Sequence, residues 1–372
     1  MMSIREATTA YESWLGERIT LVKPDLKRKH DNMKTDPFIF MRATFYRWAQ
    51  TFPAACRKAS SAPQVVAVGD LHLENFGTWR DAEGRLVWGV NDFDEAYTLP
   101  YTNDLIRLAT SLVLALETNK LAISVEEGCQ KILEGYSSGI ETGGEPFVLE
   151  EKHAELREMA TGVLRSPKHY WAKIDTLKPA PRPLPASAEE AIGYCMAGLA
   201  DNYDVLKRQA GEGSLGRQRY LARAHWCGGA IAREIKALAP SACIWSHPGR
   251  GDLDNLYQFL LTNAVRCPDP FVQIRGQWVI RRLAPHCSRI ELAALPKERD
   301  EKVLLHAKGF ETANIHLGTR GMKEAIQADL HSRSRVNGDW LLAAAQTMAE
   351  SIRKDWQAWK GKDNNRNKRK SR

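Results

Sequence analysis

Two polar loops at the ends of short strands constrain this chain more than any other feature. Val65-Val66-Ala67-Val68 is a β run that stops at Gly69-Asp70. A second run, Arg85 to Val90, is entered through Asp81-Ala82-Glu83-Gly84, which is turn chemistry for a hairpin, and it stops at Asn91-Asp92-Phe93-Asp94. After Pro100 the apolar period changes to 3.6, with Leu105, Leu108, Leu112 and Leu116 on one helical stripe and Thr102 or Asn103 placed to cap it. A strand, a loop, a hairpin, a second loop and a helix therefore follow in order, and the hairpin returns the second loop to the first.

In Gly69-Asp-Leu-His-Leu-Glu-Asn75 an aspartate and an asparagine sit five residues apart on the loop that leaves the strand. Phosphoryl transfer asks little covalent chemistry of a protein. It needs a carboxylate to orient or deprotonate the acceptor, and hard oxygen ligands for a divalent cation. Asp70 suits the first task and Asn75 the second, while Asp92 and Asp94 reach the same cation from across the hairpin. Mg2+ accepts few protein oxygens because it keeps water and phosphate ligands, so this short set is sufficient. Taken singly, each of these residues is more often an ordinary turn former; the set carries weight through its order. His72 has two equal readings, a group that shields phosphate charge and a residue that fills the loop.

The first sixty residues read as helical, Ile4 to Ile19 and Pro37 to Gln50, the latter with Phe38, Phe40, Met41 and Phe45 on an apolar face. Further helices are expected at Ser124 to Ile140 and Phe147 to Leu164. Lys178 to Pro185, with a proline at every second position, reads as a stiff linker ahead of a lobe boundary. From Asp204 the composition turns to β, with strands at Tyr220 to Ala222, Gly229 to Ile235, Phe271 to Ile274 and Gln277 to Leu283, interrupted by a helix from Asp252 to Val265. The chain ends in helix, with Leu341, Ala345, Met348, Ile352, Trp356 and Trp359 as a core stripe.

At 372 residues, 43% apolar and 26% charged, the chain has core enough for about two lobes. Its longest apolar stretch, Leu108 to Leu116, is too short to span a bilayer. Seven scattered cysteines form no CxxC pair, which fits a reducing compartment and makes the cytoplasm the expected location. Of the net charge of +8, the stretch from Lys360 to Arg372 holds +6, seven basic residues against Asp363, which leaves +2 for the body. That charge belongs to a tail read as disordered and solvated, so nucleic acid is not an expected partner beyond weak contact by the tail.

The segments Gly69-Asp-Leu-His-Leu-Glu-Asn75, Gly89-Val-Asn-Asp-Phe-Asp94 and Asp104-Leu-Ile-Arg-Leu-Ala109 resemble the catalytic half of aminoglycoside and choline phosphotransferases, within the protein-kinase-like superfamily. The resemblance implies that Asp70 is the catalytic aspartate, that Asn75 and Asp92 bind magnesium, and that Asp104 braces the catalytic loop from its helix. Val68 departs from the pattern, since those enzymes commonly have histidine before the Gly-Asp pair.

A kinase-like enzyme also needs a glycine-rich turn and a lysine for ATP, normally ahead of the catalytic loop, where this chain has only about sixty helical residues. Downstream, Gly211-Glu-Gly-Ser-Leu-Gly216 lies between β-like stretches, and Lys236 ends a strand about twenty residues later. Gly211, Gly213, Ser214, Gly216 and Lys236 are therefore the expected nucleotide contacts. A strand follows Gly216, which disfavours a dinucleotide-binding reading. The order implies a circular permutation, with the nucleotide lobe encoded after the catalytic half. Over nearly its full length the chain also resembles the bacterial family of domain of unknown function 2252. The resemblance rests on Asp36 to Arg42, the Gly69 to Asn75 loop, Asn91 to Glu95, Asp104 to Ala109, Gly211 to Arg217 and Val279 to Leu283. One departure is that only Asp252 and Asp254, near the start of the following helix, are at hand to pair with Lys236.

The expectation is thus an α+β, two-lobed, permuted kinase-like fold. Residues 1–200 form a helical lobe carrying the catalytic and metal loops at 65–110, residues 201–290 a β-rich nucleotide lobe, residues 291–359 returning helices, and residues 360–372 the tail. The expected function is an ATP- and Mg2+-dependent phosphotransferase whose acceptor and oligomeric state the sequence does not name. The alternatives are a metallophosphoesterase, which would need a histidine cluster that the scattered histidines do not form, and an inactive nucleotide-binding pseudokinase. Transfer of AMP would use the same metal residues. His169, Tyr170 and Trp171 are an aromatic cluster that either lines an acceptor pocket in the helical lobe or packs into a core.

Overall fold

Ser3 and Asp36 start the chain's first helices by capping them. The Ser3 hydroxyl accepts the Glu6 N–H while the Glu6 carboxylate accepts the Ser3 N–H, opening α1 (Ile4–Gly16) with a capping box. After α2 (Lys23–Asn32), the Asp36 carboxylate accepts the Ile39 N–H at 2.7 Å ahead of α3 (Pro37–Ala43). The helix expected from Pro37 to Gln50 is in fact two. Thr44 leaves helical geometry, its hydroxyl donating to the Phe40 carbonyl at 2.7 Å, and α4 (Phe45–Ala55) restarts beyond it, followed by the single turn α5 (Arg57–Ser60).

The computed structural model describes residues 2–118, 121–150, 152–161, 166–247, 249, 256–287, 289–290, 292 and 300–361. Among them the chain is a mixed α+β fold with three small antiparallel sheets. β1 (Gln64–Ala67) pairs with β4 (Tyr97–Pro100), and between them β2 (Phe76–Arg80) and β3 (Leu86–Val90) form the expected hairpin, Phe76 opposite Val90. The pairings close the two polar loops against each other. The helix after Pro100 is α6 (Thr102–Leu116), buried along almost its whole length, and α7 (Val125–Thr142) follows.

The helix expected from Phe147 to Leu164 is corrected. Phe147 and Val148 form a short third strand, β5, on β3, because the Phe147 ring packs edge-on against Trp88 with centroids 5.2 Å apart, and burial of an aromatic overrides helix propensity. Among the described residues of that stretch only α8 (Ala154–Ala160) is helical; residue 151 and residues 162–165 lie outside them. Beyond α9 (Pro167–Asp175) the proline-rich stretch is anchored to the edge of a sheet. Ala180 N–H donates to the Val205 carbonyl and Lys207 N–H to the Lys178 carbonyl, both at 2.8 Å.

That sheet has five strands, β6 (Asp204–Lys207), β7 (Arg219–Trp226), β8 (Gly229–Ala237), β9 (Gln273–Arg275) and β10 (Trp278–Leu283), in the order β6-β7-β8-β10-β9. One face packs on α10 (Ala186–Met196) around Ala188, Ile192, Ile235 and Trp278, a core separate from the main one. α11 (Ala242–Ser246) and α12 (Leu256–Asn263), between β8 and β9, contribute Ala242, Cys243, Tyr257 and Leu260 to the main core. The start of the helix expected at Asp252, with both Asp252 and Asp254, lies outside the described residues, as do residues 362–372 of the basic tail.

The C-terminal helices are α13 (Glu301–His316), α14 (Lys323–Val336) and α15 (Trp340–Lys360), the last burying Leu341, Ala345, Met348, Ile352 and Trp359 as its spacing requires. α13 crosses α7 backbone to backbone. A Cβ at Gly135 would stand 1.9 Å from the His306 carbonyl oxygen, and one at Gly309 2.0 Å from that of Ile132. This close approach brings polar residues of α13 beneath the two polar loops. Lys308 donates to the Leu73 carbonyl at 3.0 Å, and Glu311 accepts the Val90 N–H at 3.0 Å.

Candidate functional site

The loop after β1 is fixed from below by Asp104 on α6. One of its carboxylate oxygens accepts the Val68 N–H at 2.7 Å and the other the Gly69 N–H at 3.0 Å. Gly69 has φ +77°, and a side chain there would also meet the Glu95 carbonyl oxygen at 2.3 Å, so the turn that aims Asp70 needs glycine. Asp70 Oδ1 accepts from Arg107 Nε at 2.9 Å. The Arg107 guanidinium is wholly buried between the Phe45 and Trp48 rings and donates to the Met41 carbonyl. Burial pushes the Asp70 carboxyl above its usual value against the opposing pull of Arg107.

His72 is buried, and its Nδ1 accepts the Glu74 N–H at 3.2 Å. Burial, together with the charges of Arg42, Arg289 and Arg107, holds it well below the usual histidine range, so the ring is neutral and the positive charge near it comes from the arginines. Asn75 ties the two loops together. Its Nδ2 donates to the Asp70 carbonyl at 3.2 Å and to the Asp92 carbonyl at 3.0 Å, and its buried Oδ1 has no hydrogen-bond partner among the described residues.

Asp92 and Asp94 both hold Lys236. Its Nζ lies 3.1 and 3.0 Å from the two Asp92 oxygens and 2.6 Å from Asp94 Oδ1. Arg217 donates to Asp94 at 3.1 Å and to Glu95 at 3.0 Å. Desolvation would raise Asp92, but Lys236 and Arg281 overcome it and keep that carboxylate well below its usual range. Burial and the neighbouring charge of Asp92 push Asp94 the other way. Burial carries Glu95 up to about 7 in spite of Arg217.

The glycine-rich turn between β6 and β7 closes over these loops. Gly211, Gly213 and Ser214 line a cavity of about 50 Å³ together with Asp70, His72, Asn75, Asp92 and Asp94. Gly213 sits on the Asp70 carboxylate, so that a Cβ there would lie 3.3 Å from Asp70 Oδ2. Gly216 stands apart from this cavity, with φ +99° and its α-carbon packed against Leu26. Lys236 meets the site through Asp92 and Asp94, and Asp104 acts from beneath. A larger cavity of about 430 Å³ adjoins the first and shares Asp92, Gly211 and Arg289 with it.

The sequence reading did not foresee Arg107, Arg42 or Arg217. Arg107 had a local signal, a charged residue in the middle of an otherwise apolar helix, where only a buried partner explains it. Arg42, which pairs with the buried Glu74, and Arg217, which pairs with Asp94 and Glu95, depend on contacts far apart in sequence. The acidic partners of Lys236 are Asp92 and Asp94. The aromatic cluster of α9 also has a different neighbourhood from the one expected: Tyr170 and Trp171 pack against Leu206 and Leu221 of the five-stranded sheet, and His169 and Tyr170 line the larger cavity.

Mg2+ is tested by the donors present. Asn75 Oδ1 and the carboxylates of Asp92 and Asp94 are hard oxygens on one small cavity, and the Asn75 oxygen lacks a partner among the described residues, so the set fits a magnesium ion that keeps water and phosphate ligands. Among the described residues no three His, Cys, Asp or Glu side chains group as a metal cluster, so a cation here would rest on the Asn75 amide and the Asp92 and Asp94 carboxylates.

Residues 21–173 match the profile of a family described as an uncharacterized protein conserved in bacteria (DUF2252). The matched segment contains Asp70, Asn75, Asp92, Asp94 and Asp104; the glycine-rich turn and Lys236 lie beyond it. No curated protein and no solved structure matches the chain. Among the described residues no helix is long and apolar enough to cross a membrane.

Proposed function

We propose that the chain is an ATP- and Mg2+-dependent transferase of phosphorus groups, of the kinase-like kind, acting on an acceptor hydroxyl. The observation that carries this reading is the convergence of Asp70, Asn75, Asp92 and Asp94 with Gly211, Gly213 and Ser214 on one cavity, although these loops are more than 100 residues apart in sequence. In protein kinases a glycine-rich loop covers the phosphates, a lysine on the third strand of the sheet meets them, and an aspartate and an asparagine hold magnesium. Here the glycine-rich turn joins the first two strands of the five-stranded sheet and Lys236 lies on the third. The permuted, two-lobed architecture belongs to the same proposal.

Asp70 is placed to take the acceptor proton, with Arg107 fixing its orientation. Asn75, Asp92 and Asp94 would hold Mg2+, which when bound supplies positive charge to the phosphate oxygens. Lys236, a single positive charge held between the two aspartates, would supply that charge to the same phosphates. Calorimetry with ATP and Mg2+ tests the reading: wild type binds and Lys236→Ala binds roughly tenfold more weakly, in line with loss of a charge-assisted contact. Absence of binding to wild type, with Lys236→Ala indistinguishable from it, refutes the proposal.

A further inference from the structure

The wall of the larger cavity determines which way round a nucleotide would lie. Side chains two apart on a strand share a face, so Glu234 points the same way as Lys236 on β8. Arg281 stands directly opposite Glu234 on β10, and Arg219 opposite Lys236 on β7. Glu234 is buried and takes Arg208 and Arg219 as ion-pair partners, with Arg281 Nε 3.9 Å away. A purine seeks an apolar slot with a few placed hydrogen bonds; the face of β7, β8 and β10 around Glu234 is a network of charges, and the apolar lining from Ile174, Leu177, Leu261 and Val272 comes from outside these strands.

The network also has cations to spare. Arg266 donates to the Val90 carbonyl and stacks on Trp79 and Phe93, and Arg282 donates to the Arg80 carbonyl and stacks on Phe271. Among the described residues neither has a carboxylate within ion-pair distance, and the Nε atoms of both, like that of Arg281, have no hydrogen-bond partner. Among the described residues, seven lysines and arginines line the cavity against four carboxylates. Guanidinium groups held by carbonyls and aromatic faces keep their forked donors for an anion, and phosphate matches that fork. The small cavity beside Asp70, at about 50 Å³, has room for a few water molecules but none for a triphosphate tail.

We infer that the arginine-lined cavity receives the β- and γ-phosphates of a nucleoside triphosphate, which places the α-phosphorus beside Asp92 and Asn75 and makes the transferred group the nucleotidyl group. The inference rests on the proposed nucleotide-dependent function and specifies its chemistry. The acceptor oxygen forms a bond to the α-phosphorus as the bond from that phosphorus to the bridging oxygen of the β-phosphate breaks. The electron pair leaves with pyrophosphate, and the acceptor proton passes to Asp70 and then to solvent.

Two measurements test it. Calorimetry of the full chain with pyrophosphate and, separately, with adenosine reads the cavity without any reaction. Pyrophosphate binding to wild type, roughly tenfold weaker in both Arg266→Gln and Arg282→Gln, with adenosine giving no heat, is the expected result. Incubation with ATP labelled at either the α- or the γ-phosphate, with Mg2+ and a cell extract as acceptor source, reads the transferred group. Label from the α position in the product, with pyrophosphate released, supports the inference. Label from the γ position with ADP released overturns it and leaves the proposed phosphotransferase standing, as does binding of adenosine without binding of pyrophosphate. If neither ATP nor pyrophosphate binds, both fall.

Discussion

Replacing Asp104 by alanine tests whether the catalytic loop depends on a brace from α6. Four donors converge on this fully buried carboxylate: the Val68 and Gly69 amides, Asn103 Nδ2 at 3.0 Å and His316 Nε2 at 3.1 Å. The His316 ring is fixed in turn by the Tyr136 hydroxyl, 2.9 Å from its Nδ1. In Asp104→Ala the two backbone amides lose their acceptor in a site closed to water, at about 1–3 kcal/mol each. With the side-chain donors partly reoriented, the total is about 4 kcal/mol. At about 2.1 cal/mol/K of unfolding entropy per residue, a chain of this length should melt about 5 °C lower. Asp104→Asn keeps the shape and one oxygen but turns an amide NH2 toward one pair of donors, so about half the loss is expected. Differential scanning calorimetry reads the melting shift, and hydrogen exchange at the Val68 and Gly69 amides locates it. An Asp104→Ala protein melting within about 1 °C of wild type, with both amides still protected, would refute the brace.

Three other substitutions probe the same support. Gly89→Ala in β3 would put its Cβ 2.3 Å from Glu311 Oε1, next to the strand end that carries Asp92, so a loss of about 1–3 kcal/mol in thermal unfolding is expected, and a neutral result would mean the carboxylate can move aside. Burial lowers Lys308 to about 7, so wild type loses stability as pH falls from the unfolded value of 10.5 through 7. Lys308→Met lacks this dependence, and melting curves of the two proteins with the same slope between those limits would contradict the assignment. Gly309→Ala, with its Cβ 2.0 Å from the Ile132 carbonyl oxygen, should force α7 and α13 apart and cost about 3 kcal/mol or more; an unchanged melting temperature would show that the helices have room.

What was legible in the sequence depended on the range of the interactions. The Val65 run, the Asp81 to Gly84 turn and the leucine stripe of α6 are local signals, and the structure has β1, the hairpin and the helix where those signals lie. The break at Thr44 is also local, but a hydroxyl returning to the residue four back is only one of the conformations threonine adopts in helices. Phe147 was misread because its pairing with β3 is settled by Trp88, some 60 residues earlier, and not by its neighbours. Lys236 shows the same limit more sharply. Its position on a strand is local, yet its partners are Asp92, 144 residues away in sequence, and Asp94, while the nearby acid Glu234 pairs with Arg208 and Arg219 instead.

The polar face of α13 explains why the candidate site is less legible than the fold. Lys308, Glu311, Asn314 and His316 are all buried, and in a single helix they read as an ordinary solvated surface. They are instead fixed to the loops: Lys308 to Leu73, Glu311 to Val90, His316 to Asp104, with Asn314 donating to Glu311 at 2.9 Å. Lys308 also lies 3.9 Å from the centre of the Phe76 ring, so its charge is held partly by an aromatic face. A helix can bring four such groups inside only if its backbone comes close enough for each to reach a partner, and the contacts at Gly135 and Gly309 provide that approach. The geometry of Asp70, Asn75 and Asp92, encoded within 23 residues, is therefore completed by a helix that begins more than 200 residues later. A motif search sees the first part of that arrangement and not the second, because the second is defined by which buried polar groups satisfy one another.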